Sequence, residues 1–101
     1  MNPLAGIPLA IAIDHPAFAG HFPGSPIVPG VVLLDEAMFV IAEATGLAHH
    51  RIAWAKFLHP VGPGQALIVR HDIDAGGSIR FEITAGADKV VTGTLGPVTA
   101  P

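Results

Sequence analysis

The residues with the most chemistry in them lie between His15 and Met38. His21 sits in a segment that holds Pro16, Pro23, Pro26 and Pro29 together with Gly20 and Gly24. Repeated prolines exclude a helix interior or a central strand, so this is an ordered loop that fixes its side chains. Histidine's unperturbed pKa, about 6.5, suits a general base near neutral pH. Pro29-Gly30 then marks a helix start. Backbone N–H groups point out of a helix N-terminus, the dipole there favours negative charge, and Gly30 lets a ligand come close. Two carboxylates follow, Asp35 and Glu36. At about 100° per residue Asp35 shares a face with Val31, Leu34, Met38, Ile41 and Ala42. Glu36 shares a face with Glu43, which reads as the solvated stripe. Asp35 is therefore the acid expected to look inward, where a buried carboxyl keeps its proton for donation. Glu36 is the fallback acid. A base, an acid and an N–H group for an oxyanion would meet at one helix end.

The elements that must position these groups can be read from the rest of the chain. Leu4 to Ile13 is expected to be a first strand, irregular near Pro8. Gly30 to Thr45 reads as one long helix stopped by Gly46. Its apolar residues run almost all the way round, as in a helix buried at the centre of a fold. Four strands follow: Arg51 to Leu58, Ala66 to Ile73, Ser78 to Ala85 and Lys89 to Leu95. Gly76-Gly77 and Gly86-Ala87-Asp88 are the expected turns, and Val61 to Gly64 a loop. Arg80, Glu82 and Thr84 alternate with Ile79, Phe81 and Ile83, so one sheet face should be buried. The expectation is an α+β domain over residues 1–101, a buried helix wrapped by an antiparallel sheet whose last four strands form a meander.

Composition excludes several classes. The chain has 101 residues, half of them apolar and 13% charged, which fits one globular domain and not a disordered chain. So apolar a chain of this size suggests further burial in a subunit interface. Five cations, Arg51, Lys56, Arg70, Arg80 and Lys89, against eight carboxylates leave a net charge of −3. That is no basic patch for nucleic acid. The lack of cysteine excludes disulfides and thiolate metal sites and is compatible with the cytoplasm. No apolar run reaches the roughly 20 residues of a membrane span. The apolar start, Met1 to Ile13, has no basic residues before it, which argues against a signal peptide. His15, His49, His50, His59 and His71 match no metal-ligand spacing, and His49-His50 reads as an exposed turn between helix and strand.

The stretch Gly20-His21-Phe22-Pro23-Gly24-Ser25-Pro26-Ile27-Val28-Pro29-Gly30 resembles the GHFPxxPxxPG signature of FabZ/FabA-type 3-hydroxyacyl-[acyl-carrier-protein] dehydratases. Lys56 to Gln65 more weakly resembles that family's RFxxPVxPGD turn. The wording from His15 to Glu36 is closest to the small dehydratases of aryl polyene-type clusters. The resemblance implies a hotdog fold and a cytoplasmic homodimer with active sites at the interface, or a heteromer with a related subunit. It implies dehydration of 3-hydroxyacyl thioesters to trans-2-enoyl thioesters in fatty acid or polyene-type synthesis. His21 would be the catalytic histidine and Asp35 the acid, from opposite subunits, with Glu36 one residue away as alternative. Gly30 would supply the N–H that binds the thioester carbonyl. Phe22, Pro29, Val31, Met38 and Phe39 would line the substrate tunnel. No metal or cofactor is called for, since the phosphopantetheine belongs to the substrate. The five cations are candidates to dock an acidic carrier protein. Two departures stand out: Phe39 replaces the family's glutamine, and Gln65 replaces the aspartate of its turn. Two other functions fit the same scaffold: an acyl thioesterase, against which the HFPGxPxxPG loop argues, and a non-catalytic partner subunit, against which the retention of His21 and Asp35 argues.

Overall fold

The computed structural model describes residues 6–11, 27–47 and 50–98. Its elements are β1 (Ile7–Leu9), α1 (Gly30–Thr45), β2 (His50–Phe57), β3 (Leu67–Ile73), β4 (Ile79–Ala85) and β5 (Asp88–Pro97). The five strands form one antiparallel sheet in the order β1-β3-β4-β5-β2. With α1 packed on it, this is the hotdog arrangement expected.

The helix keeps the bounds its punctuation predicts. Pro29 stands at the N-cap, and Gly46 takes a left-handed φ of 74° and returns its N–H to the Ala42 carbonyl at 2.8 Å. Only glycine adopts that backbone freely, so the helix stops there. One face of the helix is buried. Leu33, Leu34, Ala37 and Ile41 join a single core with Leu67, Val69, Ile79, Ile83, Val91 and Leu95 from the sheet. The opposite face, through Val31 and Phe39, is exposed in the single chain. The helix is therefore not buried all round as expected. A one-layer sheet can cover only one side of it.

β4 shows the predicted alternation up to Ile83. In β4, Ile79, Phe81 and Ile83 are buried and Arg80 is exposed. Thr84 departs from it. It is buried at an outward position, where Arg70 donates from Nη1 to its Oγ1 at 3.1 Å. The turn between β3 and β4 is tied by Asp74, whose Oδ1 accepts from the N–H groups of Gly76 (2.8 Å) and Ser78 (3.0 Å). Gly77 there has φ 88°.

Three expectations are corrected. The last four strands are not a meander. β3, β4 and β5 are consecutive neighbours, but β2 pairs with β5 at the far edge. The chain from Leu58 to Ala66 must then cross the width of two strands to reach β3. The first strand is three residues long, because Ile11 leaves the ladder and accepts a hydrogen bond from Gly64 N–H at 2.7 Å. Its Pro8 pairs with Ile68 on an edge strand, where a missing N–H is tolerated. Finally, His50 is not an exposed turn residue. It opens β2, half-buried, with Nε2 3.2 Å from the Gly77 carbonyl.

Two bulges shape β5 and its neighbours. Ala53 is unopposed between the pairs Ile52↔Leu95 and Trp54↔Thr94. Val90 is unopposed between Ile83↔Val91 and Thr84↔Lys89. Such bulges bend a strand and re-aim its backbone. At Val90 the carbonyl accepts from Leu58 N–H at 2.8 Å and His59 N–H at 3.4 Å. That contact fixes where the crossing segment leaves the sheet.

Candidate active site at the helix N-terminus

The crossing segment runs past the start of α1. Val28 N–H donates to the Val61 carbonyl at 2.8 Å, which ties the residues before the helix to the segment after β2. Between them lies an open cleft of about 430 Å³ lined by Val28, Gly30, Leu33, Phe57, Leu58, His59 and Pro60. Its walls are apolar apart from the His59 ring and the backbone of the helix start. The first N–H groups of a helix have no acceptor one turn back. Together with the dipole they suit an oxygen that carries, or is gaining, negative charge.

A side chain at Gly30 would have to push the Phe57 ring aside. A Cβ at this position would lie 2.7 Å from two carbons of the Phe57 ring. The ring therefore lies directly against the first residue of the helix and forms the apolar wall beside its N–H. Phe57 is half exposed, so the wall is open on its other side.

The sequence-derived site residues fall into three groups. His21 and Phe22 lie outside the described residues. Gly30 lines the cleft, with Pro29 capping the helix beside it. The rest follow the helix away from the cleft. Asp35 does not look inward among apolar residues. It is exposed, one turn from Val31 and one turn from Phe39, which are 64% and 62% exposed. Glu36, expected on the solvated stripe, is half-buried, while Glu43 is exposed as predicted. Of the expected tunnel residues, Met38 packs against the core and Val31 and Phe39 are uncovered. The reason is one of phase. Apolar residues nearly all round the helix left only the Glu36–Glu43 pair to orient it, and the sheet takes the Leu33–Ala37–Ile41 side, which turns Asp35 outward. Asp35 is thus the one carboxylate on an exposed apolar stripe, a surface that a second subunit would cover.

Phe57, Leu58, His59 and Pro60 are cleft residues that sequence reasoning missed. The signal was present in the weak RFxxPVxPGD resemblance over Lys56 to Gln65, to which no site role was attached. No cluster of three His, Cys, Asp or Glu side chains with metal-binding geometry occurs among the described residues. No described helix is long and apolar enough to cross a membrane.

A family model described as ApeI-like, ApeI dehydratase, matches residues 4–94. The 3-hydroxyacyl-[acyl-carrier-protein] dehydratase FabZ of Chlamydia trachomatis is 34% identical over 104 aligned residues, covering 84% of this chain and 65% of its own length. The chain spans between about half and just under two thirds of the length of the curated relatives it matches. Among solved structures, the dehydratase heterocomplex ApeI:P from Xenorhabdus doucetiae superposes with a TM-score of 0.79 at 25% identity, over 98% of this chain and 90% of that one. An uncharacterized protein from Erwinia carotovora superposes with a TM-score of 0.68 at 28% identity, over 94% and 84%.

Proposed function

The chain belongs to the ApeI-like dehydratase family, and from that premise we propose that it removes water from 3-hydroxyacyl thioesters held on an acyl carrier protein. The observation that carries the reading is the cleft at the start of α1. It places Gly30, the residue that ends the HFPGxPxxPG signature, between an apolar wall and the free N–H end of a helix.

The chemistry follows from those groups. The α-proton of a 3-hydroxyacyl thioester is weakly acidic, and its removal puts negative charge on the thioester oxygen. The N–H at Gly30 stabilises that oxygen, an interaction that strengthens as charge develops. His21 takes the α-proton. The C3 hydroxyl leaves as water once Asp35 protonates it, with Glu36 as the alternative donor. The double bond forms between C2 and C3, and the proton on the histidine returns to the acid through solvent. No step calls for a metal or redox cofactor.

The acid's position bears on the assembly. Asp35 stands on the helix face that the single chain leaves open, between Val31 and Phe39. A second subunit over this face would bury Asp35 and complete the site, and the edge of β2, unpaired among the described residues, offers its backbone groups to that subunit. The working unit is then a dimer of this chain. Pairing with a related subunit is the second reading, supported by the heterocomplex formed by the Xenorhabdus doucetiae protein. Phe39→Asp puts a charge in the covered face and is expected to turn the dimer into monomer in sedimentation. A Phe39→Asp protein that still sediments as a dimer would remove this face from the interface.

The function is tested by giving the purified protein a 3-hydroxyacyl carrier protein and weighing the product. Loss of one water is the expected result. Release of free carrier thiol would make the protein a thioesterase. Inertness alone, with activity on adding a related subunit, would make it the partner in a heteromeric enzyme.

A further inference from the structure

The register of the sheet sorts the charges of this chain by face. Arg80 and Glu82 point away from the core in β4, and their neighbours on that outer face follow from the pairing. Arg70 lies opposite Glu82, Asp72 opposite Arg80, and Lys89 opposite Thr84. In β2, Lys56 pairs with Thr92 and Arg51 with Gly96, on the same side as Trp54, which pairs with Thr94. All five cations of the chain therefore lie on the outer face of the sheet, with two carboxylates among them. Asp72 is already engaged, accepting from Arg80 Nη2 at 2.8 Å. The helix layer carries Asp35, Glu36 and Glu43 and no cation. A chain of net charge −3 thus has one positive face.

That face also has an anchor. Trp54, the only tryptophan of the chain, is 52% exposed there. It stands between Arg51 and Lys56 on the edge strand and forms one wall of a hollow of about 300 Å³ whose polar lining is Arg70, Arg80, Asp72, Glu82, Thr92 and Thr94. Tryptophan and arginine beside a shallow hollow are the residue types that dominate protein–protein binding energy. Pairing of the β2 edge with a second subunit uses backbone groups in the plane of the sheet and leaves this face uncovered.

We propose that the outer face of the sheet around Arg51, Trp54 and Lys56 is the docking surface for the acidic carrier protein, a proposal that rests on the dehydratase reading above. Charge complementarity selects the occupant: an acidic protein is attracted to this face and repelled by the helix layer. Continuity with the cleft supports it. Lys56 precedes Phe57, Leu58, His59 and Pro60, the residues that line the cleft on the other side of the sheet. A carrier seated at the Lys56 end can pass its phosphopantetheine arm over the end of β2 to Gly30.

The test titrates holo acyl carrier protein, without an acyl group, into the purified protein. Trp54 emission reports contact at the surface, and calorimetry reads the same titration. The double variant Arg51→Glu, Lys56→Glu keeps Trp54. It is expected to bind carrier at least tenfold more weakly and to raise KM for carrier-borne substrate by a similar factor. Wild-type affinity should fall as salt rises. Affinity within twofold of wild type, or a wild type that binds no carrier, overturns the proposal. So does a variant whose sedimentation changes while its carrier affinity does not, because the face would then join copies of this chain. Carrier binding lost in the variant, with no dehydration by either protein, would uphold docking and sink the dehydratase reading. Equal turnover of carrier-borne substrate by both would do the reverse.

Discussion

His21→Ala is expected to slow dehydration of a carrier-borne 3-hydroxyacyl thioester by at least about a hundredfold, and Asp35→Asn to do the same. A positioned general base or acid contributes about 100- to 10,000-fold, so each loss raises the barrier by roughly 3 kcal/mol or more. The two should not add fully, since each step needs the other group in place. Single-turnover rates read by product mass check this without interference from carrier release. The structure makes the competing assignments sharp. Glu36 is half-buried beside the exposed Asp35. If Glu36→Gln is inactive and Asp35→Asn is not, the acid is Glu36. His59 lines the cleft. If His59→Ala is inactive and His21→Ala is not, the base is His59, and the signature histidine is structural.

The second large effect concerns stability. Gly93→Ala is expected to destabilise the fold by about 3 kcal/mol or more, at the upper end for overpacking a core. A Cβ at Gly93 would lie 2.7 Å from the Trp54 carbonyl oxygen and 2.8 Å from two carbons of the Phe81 ring. The ring could turn aside at some cost in packing. The carbonyl belongs to the β2 backbone next to the Ala53 bulge and can move only if β2 shifts against β5. Urea unfolding followed by circular dichroism should show a lower midpoint with an unchanged slope. Adding Phe81→Leu should recover only part of the loss, because it relieves the ring and not the carbonyl. A midpoint equal to wild type would mean that β2 and β5 separate freely at this point.

The sequence disclosed the local features and withheld the distant ones. The bounds of α1 were legible because Pro29-Gly30 and Gly46 act within one turn of themselves. The alternation in β4 was legible because one buried face imposes a period of two. Strand order was not. Nothing in β2 names β5 as its partner, since the pairing is decided by which edge the crossing segment can reach. The face of α1 was misread for a different reason. With Val31, Val32, Leu33, Leu34, Met38 and Phe39 all apolar, the rotation of the helix rested on the Glu36–Glu43 pair alone, and that pair turned Asp35 to the wrong side. The His21 signature and the Gly30 position came from a long fixed pattern. The Phe57–Pro60 wall sat in a weaker one, and its contact with Gly30 required the fold.

The strand order also sets a sequence in time. β3, β4 and β5 follow one another through short turns, so their ladders form from neighbouring stretches of chain. β2 must instead find β5 across the β3–β4 hairpin, with His50 opposite Pro97, and β1 must find β3 over a longer stretch still, with Ile7 opposite Val69. Long-range closures cost more chain entropy and come late in folding. The strand that carries Phe57, Lys56 and Trp54 therefore docks after the β3–β4–β5 ladder has assembled. The hairpins can form before the cleft does, because the wall that Phe57 sets against Gly30 belongs to the long-range closures and not to the local ones.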